Sequence, residues 1–277
     1  MEKRSILLTG ATSGIGKAAA GIFSQKGYEL IIPVRNTQKA QKLIADIMGA
    51  GHYGNIKTYK CDFSNLRSVK EFADEIKKDC SKIDILINNA GIWNNERKET
   101  AEGIEQTWAV NVLAPYLLTR EVMPLLEAGS EKRIIFTSSE LHGGAIQFDD
   151  LEFKNNYSGF LVYQQSKLAD LLISNALAEK LKPLGFSVNS FHPGVISTSL
   201  GESNGFLSNM FFKIFGRKPE KGAETMIFLA SDKNVREITG EYFANSKVKR
   251  TKTNGRNKEM EVRLIKALDQ KLSQMEL

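Results

Sequence analysis

Apolar and polar positions along the chain follow two rhythms. Short, nearly continuous apolar runs occur at 5–9, 29–34, 56–61, 83–88, 133–137 and 187–191. Between them, at 14–25, 37–48, 66–78, 101–126 and 158–181, the pattern is that of helices. A run such as Ile83-Asp84-Ile85-Leu86-Ile87 suits a parallel strand covered on both faces. Parallel neighbours need crossover connections, so the alternation predicts an α/β fold: a doubly wound, mostly parallel sheet with helices on both faces. A further run at 241–244 closes it as a seven-stranded sheet.

In such a sheet, ligands bind beyond the carboxyl ends of the strands, near the point where strand order reverses. The chain's small polar and glycine clusters obey that rule. Gly10, Ser13, Gly14, Ile15 and Gly16 follow the first strand and Asp62 with Phe63 the third. Asn89, Ala90 and Gly91 follow the fourth, Ser138 and Ser139 the fifth, and Pro193 and Gly194 the sixth. All five clusters are therefore expected to face one crevice.

Three glycines at 10, 14 and 16 suit a strand–turn–helix junction. The first allows the turn, the second lets backbone approach a pyrophosphate, and the third lets helix pack on strand. The helix start adds free N–H groups and a partial positive charge. After the second strand the chain reads Val34-Arg35-Asn36, with no carboxylate to hold a ribose hydroxyl pair. Arg35 can instead take a phosphate by two parallel hydrogen bonds, or be a plain surface arginine. Lys17 carries less weight because its side chain runs along the helix. Tyr163 and Lys167 lie four apart on a predicted helix and share a face. Tyr53 and Lys57 repeat the spacing across a turn, where it does not align them. A cation about 5 Å from a phenol at an effective dielectric near 20 contributes roughly 3 kcal/mol, about two pKa units. Together with a second positive charge in the complex, that would bring Tyr163 toward the working pH, where proton transfer is efficient.

Together these residues resemble the short-chain dehydrogenase/reductase family, over about 5–244, and within it the retinol-dehydrogenase-like branch. The branch resemblance rests on Val34-Arg35-Asn36, the long gap from Ser139 to Tyr163, His192-Pro193-Gly194 and Gly240-Glu241-Tyr242-Phe243. It implies a Rossmann-type NADP-binding catalytic domain at 1–246, with 247–277 a basic, then helical extension of the same domain. It also implies an oxidoreductase interconverting a carbonyl and an alcohol by hydride transfer, with NADP(H) preferred and NAD(H) the alternative. Ser13 stands where some NADP-using relatives carry a basic residue, which argues the other way. The resemblance makes Tyr163 the general acid/base and Ser139, the second of its pair, the hydrogen-bond donor to the reacting oxygen. Lys167 would lower the tyrosine pKa and bind the nicotinamide ribose, and Asn111 would hold a water leading from Lys167 to solvent. Asp62, with Phe63 beside it, would meet the adenine, unless Asp62 is simply the cap of the following helix. Asn89, Ala90 and Gly91 would line the cofactor, and Pro193, Gly194, Ile196 and Thr198 would hold the carboxamide. Cells keep NADPH largely reduced, so reduction is the expected direction.

Composition narrows the field. A chain of 277 residues, 42% hydrophobic and without a linker or composition break, suits one domain. Its net charge of +6 is densest at 247–258 and reads as a solvated basic tail, so no nucleic-acid partner is expected. Two cysteines make neither a disulfide framework nor a metal motif. No signal peptide or apolar anchor opens the chain, which points to the cytoplasm and against a retinoid substrate. His142 and His192 have no acidic partner that the sequence implies and are read as structural. Substrate choice falls to 140–159 and 201–218. The latter includes Phe206, Phe211, Phe212 and Phe215: a lid over a lipophilic substrate, a peripheral membrane contact, or a helix packed on the core. The partner is a small carbonyl or alcohol, and the protein a monomer or homodimer. The alternative function is a dinucleotide-binding regulator of the same fold without turnover.

Overall fold

In a computed structural model of the chain, which describes residues 3–51, 54–194 and 218–277, the strands form one sheet. They are β1 Ser5–Leu8, β2 Glu29–Val34, β3 Ile56–Lys60, β4 Ile85–Asn88, β5 Arg133–Thr137, β6 Ser187–His192, β7 Tyr242–Ala244 and β8 Lys247–Val248. Their order is β3-β2-β1-β4-β5-β6-β7-β8, parallel throughout except for the final β7–β8 pair. The expected seven strands are thus eight. The additional one is a two-residue hairpin partner formed by the start of the supposed basic tail.

Helices cover both faces. On one lie α1 Gly14–Gln25, α2 Thr37–Gly49 and α8 Pro219–Ser231, whose apolar residues join Ile6, Leu8, Ile85 and Phe243 in one core. On the other lie α3 Leu66–Asp79, α4 Gln106–Trp108, α5 Ala114–Glu121, α6 Met123–Glu127, α7 Gly159–Leu181 and α9 Lys258–Gln274, packed over Leu7, Leu86, Ile134 and Val188. Helix α1 buries Gly16, Ala19, Ala20 and Phe23, the i, i+3, i+4, i+7 stripe of a one-sided helix. Helix α9 buries Leu264, Leu268 and Leu272 in the same way, so the last residues are part of the core. Nor is the basic run a free tail. Lys249 pairs with Glu140, Arg256 with Glu241, and Lys258 with Glu179 and Glu261.

The helix expected at 101–126 starts later and is broken. Gly103 adopts φ +71° in a turn, and Glu105 then caps α4 by accepting a hydrogen bond from the Trp108 N–H at 2.6 Å. Ala109–Leu113 widens into a π-turn, and the chain restarts as α6 around Pro124, which has no N–H to continue a helix. Helix α8 was not foreseen from the pattern. Ile196, Thr198 and the aromatic stretch 206–215 lie outside the described residues.

Candidate active site

Strand order reverses between β1 and β4, and there the two strand ends are laced together. The buried Thr9 hydroxyl accepts the backbone N–H of Asn89 at 2.8 Å and of Ala90 at 2.9 Å, while Asn89 Nδ2 donates to the Thr9 carbonyl at 2.9 Å. Gly10 sits at φ +69°, and a Cβ there would lie 2.9 Å from the Ala90 Cα. A Cβ on Gly16 would lie 2.2 Å from the Gly10 carbonyl oxygen, so α1 reaches the strand end only with glycine at that position. Gly14 opens α1, and Ile15 is half-buried against the core of that face. The exposed Ser13 is the N-cap but makes no side-chain capping bond, and no acidic residue stands in the first turn. The helix start therefore keeps N–H groups and a positive dipole end for an anion.

The second strand delivers Arg35 to its carboxyl end, exposed, with Asn36 beside it capping α2 through the Lys39 N–H. Lys17 pairs with Asp46 at 2.6 Å, on the surface of α1 and α2. Asp62 is not the cap of α3. Asn65 caps that helix, accepting from the Ser68 N–H at 3.0 Å, while Asp62 accepts from the N–H and hydroxyl of Ser64 at 2.9 and 2.7 Å. Phe63 is half-buried against the core beneath.

The titratable groups converge where α7 crosses the ends of β4 and β5. Tyr163 and Lys167, one helical turn apart, are both buried, with the Lys167 Nζ 5.7 Å from the phenol ring centre. Lys167 donates to the Thr137 carbonyl at 2.9 Å and to Asp170 Oδ2 at 2.8 Å. Gly91 closes the other side: a Cβ on it would stand 3.4 Å from Asn111 Oδ1 and 3.7 Å from Lys167 Nζ. Asn111, in the π-turn, accepts from the Ile92 N–H at 2.8 Å and donates to the Ile92 carbonyl at 2.9 Å and the Ser166 hydroxyl at 3.0 Å. Its amide thus clamps the loop after β4 to α7. Ser138 donates to the Lys167 carbonyl at 2.7 Å, which fixes it as structural, while the Ser139 hydroxyl accepts the Leu141 N–H at 3.1 Å and opposes the rise in the Tyr163 pKa. Pro193 and Gly194 follow β6, half-buried.

Burial pushes the Tyr163 phenol above its ordinary pKa and outweighs the opposing pull of Lys167 and of the Ser139 hydrogen bond; Asp170 adds to the rise. In the protein alone, therefore, Lys167 does not bring the tyrosine toward neutrality, and the expected lowering would need the second positive charge. Burial opposes the charge on Lys167, but the attraction of Asp170 prevails and holds its pKa high. Burial raises Asp170 to about 6, so the carboxylate is ionised at neutral pH.

Two neighbours of Tyr163 were missed in the sequence. Asp170 lies three residues after Lys167 on the same helix and is visible once the helix is drawn. Trp93 stacks on the Tyr163 ring at 4.6 Å and 12°, and the exposed Phe160 lies 6.2 Å from the Trp93 ring. The histidines also differ from expectation in one respect. His192 does meet an acid, with Nε2 3.7 Å from Glu140 and Nδ1 accepting the Glu140 N–H at 3.1 Å. His142 is buried, accepts the Lys252 N–H on Nε2 at 3.0 Å, and so carries its proton on Nδ1, facing the Ser139 carbonyl. Burial holds it neutral.

The short chain dehydrogenase family model matches residues 4–205. The chain is a short-chain dehydrogenase/reductase. Retinol dehydrogenase 14 of Homo sapiens is 33% identical over 267 residues, covering 89% of this chain and 80% of the relative. Retinol dehydrogenase 13 of Homo sapiens is 33% identical over 271 residues, covering 94% and 82%. These matches place the chain in the retinol-dehydrogenase-like branch. Among solved structures, an uncharacterised protein of Mycobacterium paratuberculosis superposes with TM-score 0.77 at 27% identity, covering 98% of this chain and 93% of its own. A short chain dehydrogenase of Burkholderia cenocepacia, solved with NADP, gives TM-score 0.69 at 26% identity, covering 87% and 95%. The protein is therefore an oxidoreductase of the carbonyl/alcohol type, built on an NAD(P) cofactor. Among the described residues, no helix is long and apolar enough to cross a membrane.

Proposed function

We propose that this short-chain dehydrogenase/reductase is an NADP(H)-preferring reductase of aldehydes or ketones, with Tyr163 as the proton donor. The observation that carries the reading is the buried Tyr163 phenol with the Lys167 ammonium 5.7 Å from its ring centre, and that ammonium 3.7 Å from where a Cβ on Gly91 would stand. The turn suits a dinucleotide: glycine at 10 and 16 lets it and α1 pack against the segment after β4, and the α1 N-terminus there has no side-chain cap. Gly10, Ser13, Gly14, Ile15 and Gly16 would hold the pyrophosphate, and Arg35 the 2′-phosphate. Asp62 and Phe63 would meet the adenine, Asn89, Ala90 and Gly91 the adjacent ribose, and Pro193 and Gly194 the carboxamide together with Ile196 and Thr198.

When bound, the reduced nicotinamide supplies a hydride for a carbonyl carbon. Tyr163 gives its hydroxyl proton to the carbonyl oxygen, and Ser139 donates a hydrogen bond to the same oxygen as negative charge develops there. An ammonium has three donors, and Lys167 directs two of them at Thr137 and Asp170, leaving one for a ribose hydroxyl. Asn111 holds the loop against α7, and the relay of a proton from Lys167 to solvent would pass beside it. A raised tyrosine pKa keeps the phenol protonated near neutrality, which is the form that reduction consumes. Trp93 lies against the Tyr163 ring and the exposed Phe160 against Trp93, an apolar cluster that supports a lipophilic substrate. A regulator without turnover would need the cradle but not the convergence of Ser139, Tyr163 and Lys167.

The test follows NADPH and NADH oxidation across carbonyls from small and polar to long-chain, with Tyr163→Phe in parallel. The reading requires turnover favouring NADPH that falls at least roughly 100-fold in the variant while cofactor binding persists. Comparable turnover by Tyr163→Phe would remove Tyr163 as the acid.

A further inference from the structure

We infer that Asp170 is a positioning residue that balances the charge of Lys167 and so keeps Tyr163 protonated until another positive charge enters the site. The inference rests on the reading of Tyr163 as the proton donor. Its basis is a charge count in a closed space. The Lys167 and Asp170 side chains are only 6% and 4% exposed and meet at 2.8 Å. Lys167 is tethered a second time, at 2.9 Å, by the Thr137 carbonyl at the end of β5.

The elements around the pair bring neutral groups. The end of β5 gives Thr137 and Ser139, the π-turn gives Asn111, and the loop after β4 gives Gly91 and Trp93. Among the described residues, the charged groups that act on Tyr163 are Lys167 and Asp170, and the one that acts on Asp170 is Lys167. An ammonium, a carboxylate and a neutral phenol sum to zero. Ionising Tyr163 would leave one uncompensated negative charge in a site with little solvent to carry it, so the phenol is the favoured form. A positive charge beside the phenol, such as an oxidised nicotinamide carries, restores the balance with Tyr163 ionised. Asp170 thereby ties the proton on Tyr163 to the charge of what is bound. Without the carboxylate, the balanced state would be Lys167 ammonium with Tyr163 phenolate in the empty protein, and the two groups would titrate as a pair.

A purely structural ion pair would affect stability and leave the tyrosine alone, so the decisive readout is the phenol itself. The phenolate absorbance of Tyr163 is isolated by subtracting the Tyr163→Phe titration from that of the parent, in the full chain without cofactor, for wild type and for Asp170→Asn. Asparagine keeps the shape and an acceptor for Lys167 while removing the charge. We expect the Tyr163 midpoint to fall by about one pH unit or more in Asp170→Asn, and the alkaline loss of kcat/KM for carbonyl reduction to move down with it. An unchanged midpoint overturns the inference. If Asp170→Asn melts too early to titrate, Asp170→Ser carries the same expectation and the same refutation. A midpoint that falls in a protein whose wild type reduces no carbonyl supports the inference and defeats only the functional reading. Normal reduction with neither midpoint nor alkaline limb displaced defeats only the inference.

Discussion

Replacing Thr9 with valine tests whether the cofactor crevice is built by one hydroxyl. The two side chains have nearly the same shape, so packing is preserved while Oγ1 is lost. Oγ1 accepts the Asn89 and Ala90 N–H groups at 2.8 and 2.9 Å and approaches the Ile87 carbonyl at 3.3 Å. Leaving a buried backbone N–H without a partner costs about 1–3 kcal/mol. Asn89 and Ala90 are only half-buried, so water recovers part of the loss. The sum then falls at about 2–4 kcal/mol, or a Tm lowered by roughly 3–7 °C for a chain of this length. Asn89 Nδ2 still reaches the Thr9 carbonyl, which sets the upper bound. Thr9→Ser keeps the acceptor and should lose only about 1 kcal/mol for its methyl group. Thermal and urea melts of the three proteins measure this, and NADPH fluorescence titration should show weaker binding in Thr9→Val alone. A Thr9→Val protein that melts with the wild type, or no earlier than Thr9→Ser does, would refute the reasoning.

Arg35→Asp should swing selectivity from NADPH toward NADH by roughly 10–100-fold, the worth of a charge-assisted phosphate contact, whereas Lys17→Ala should change it little because Asp46 already holds that ammonium. The ratio of kcat/KM values for the two cofactors reads both, and equal effects would contradict the assignment. Leu268→Ala should destabilise the whole domain by about 2–5 kcal/mol in a single cooperative melt, since α9 shares the core of α7; a separate early transition would make 247–277 an independent unit. Asp84 is held below its ordinary pKa: burial opposes this, but the Ser5 and Ser130 N–H groups and the Ser130 hydroxyl, all within 2.7–2.8 Å, prevail. A depressed carboxylate contributes stability in full above about pH 4 and loses it as pH falls through the folded value. Melts between pH 2 and 7 should therefore show a smaller acid-limb loss in Asp84→Asn, and an identical limb would exclude Asp84 as its source.

Most of the site was legible because its residues are imposed by backbone geometry that the sequence reports directly. Only glycine fits at 10 and 16, and a strand end followed by a helix start can be read from the pattern, so the cradle and its companions after β4, β5 and β6 were locatable without coordinates. Lys17, Asp62 and His192 are different: the setting of each depends on another residue that the local pattern does not show. Asp46 takes the Lys17 ammonium, Asn65 is the better-placed cap for α3, and Glu140 meets His192 from far off in the chain. The long helix across 101–126 had the right composition, but apolar spacing does not distinguish a continuous helix from one widened by a π-turn and restarted at Pro124. The basic run at 247–258 looked like a solvated tail because charge counts ignore pairing. In the fold its cations meet Glu140, Glu241, Glu179 and Glu261.

Trp93 and Asp170 belong to a third category. Neither is required by the backbone, and neither is announced by a motif, yet both touch the chemistry through another residue. Trp93 lies flat on the Tyr163 ring, so the phenol can neither tilt away nor be solvated on that face. Asp170 acts through Lys167 at 2.8 Å. On the proposed reading, the glycine cradle and Ser139, Tyr163 and Lys167 would determine what kind of reaction the site carries. The side chains packed behind them would then set the charge state and the orientation of Tyr163. A substitution at 93 or 170 should therefore leave dinucleotide binding nearly intact and alter the pH dependence and substrate range of turnover.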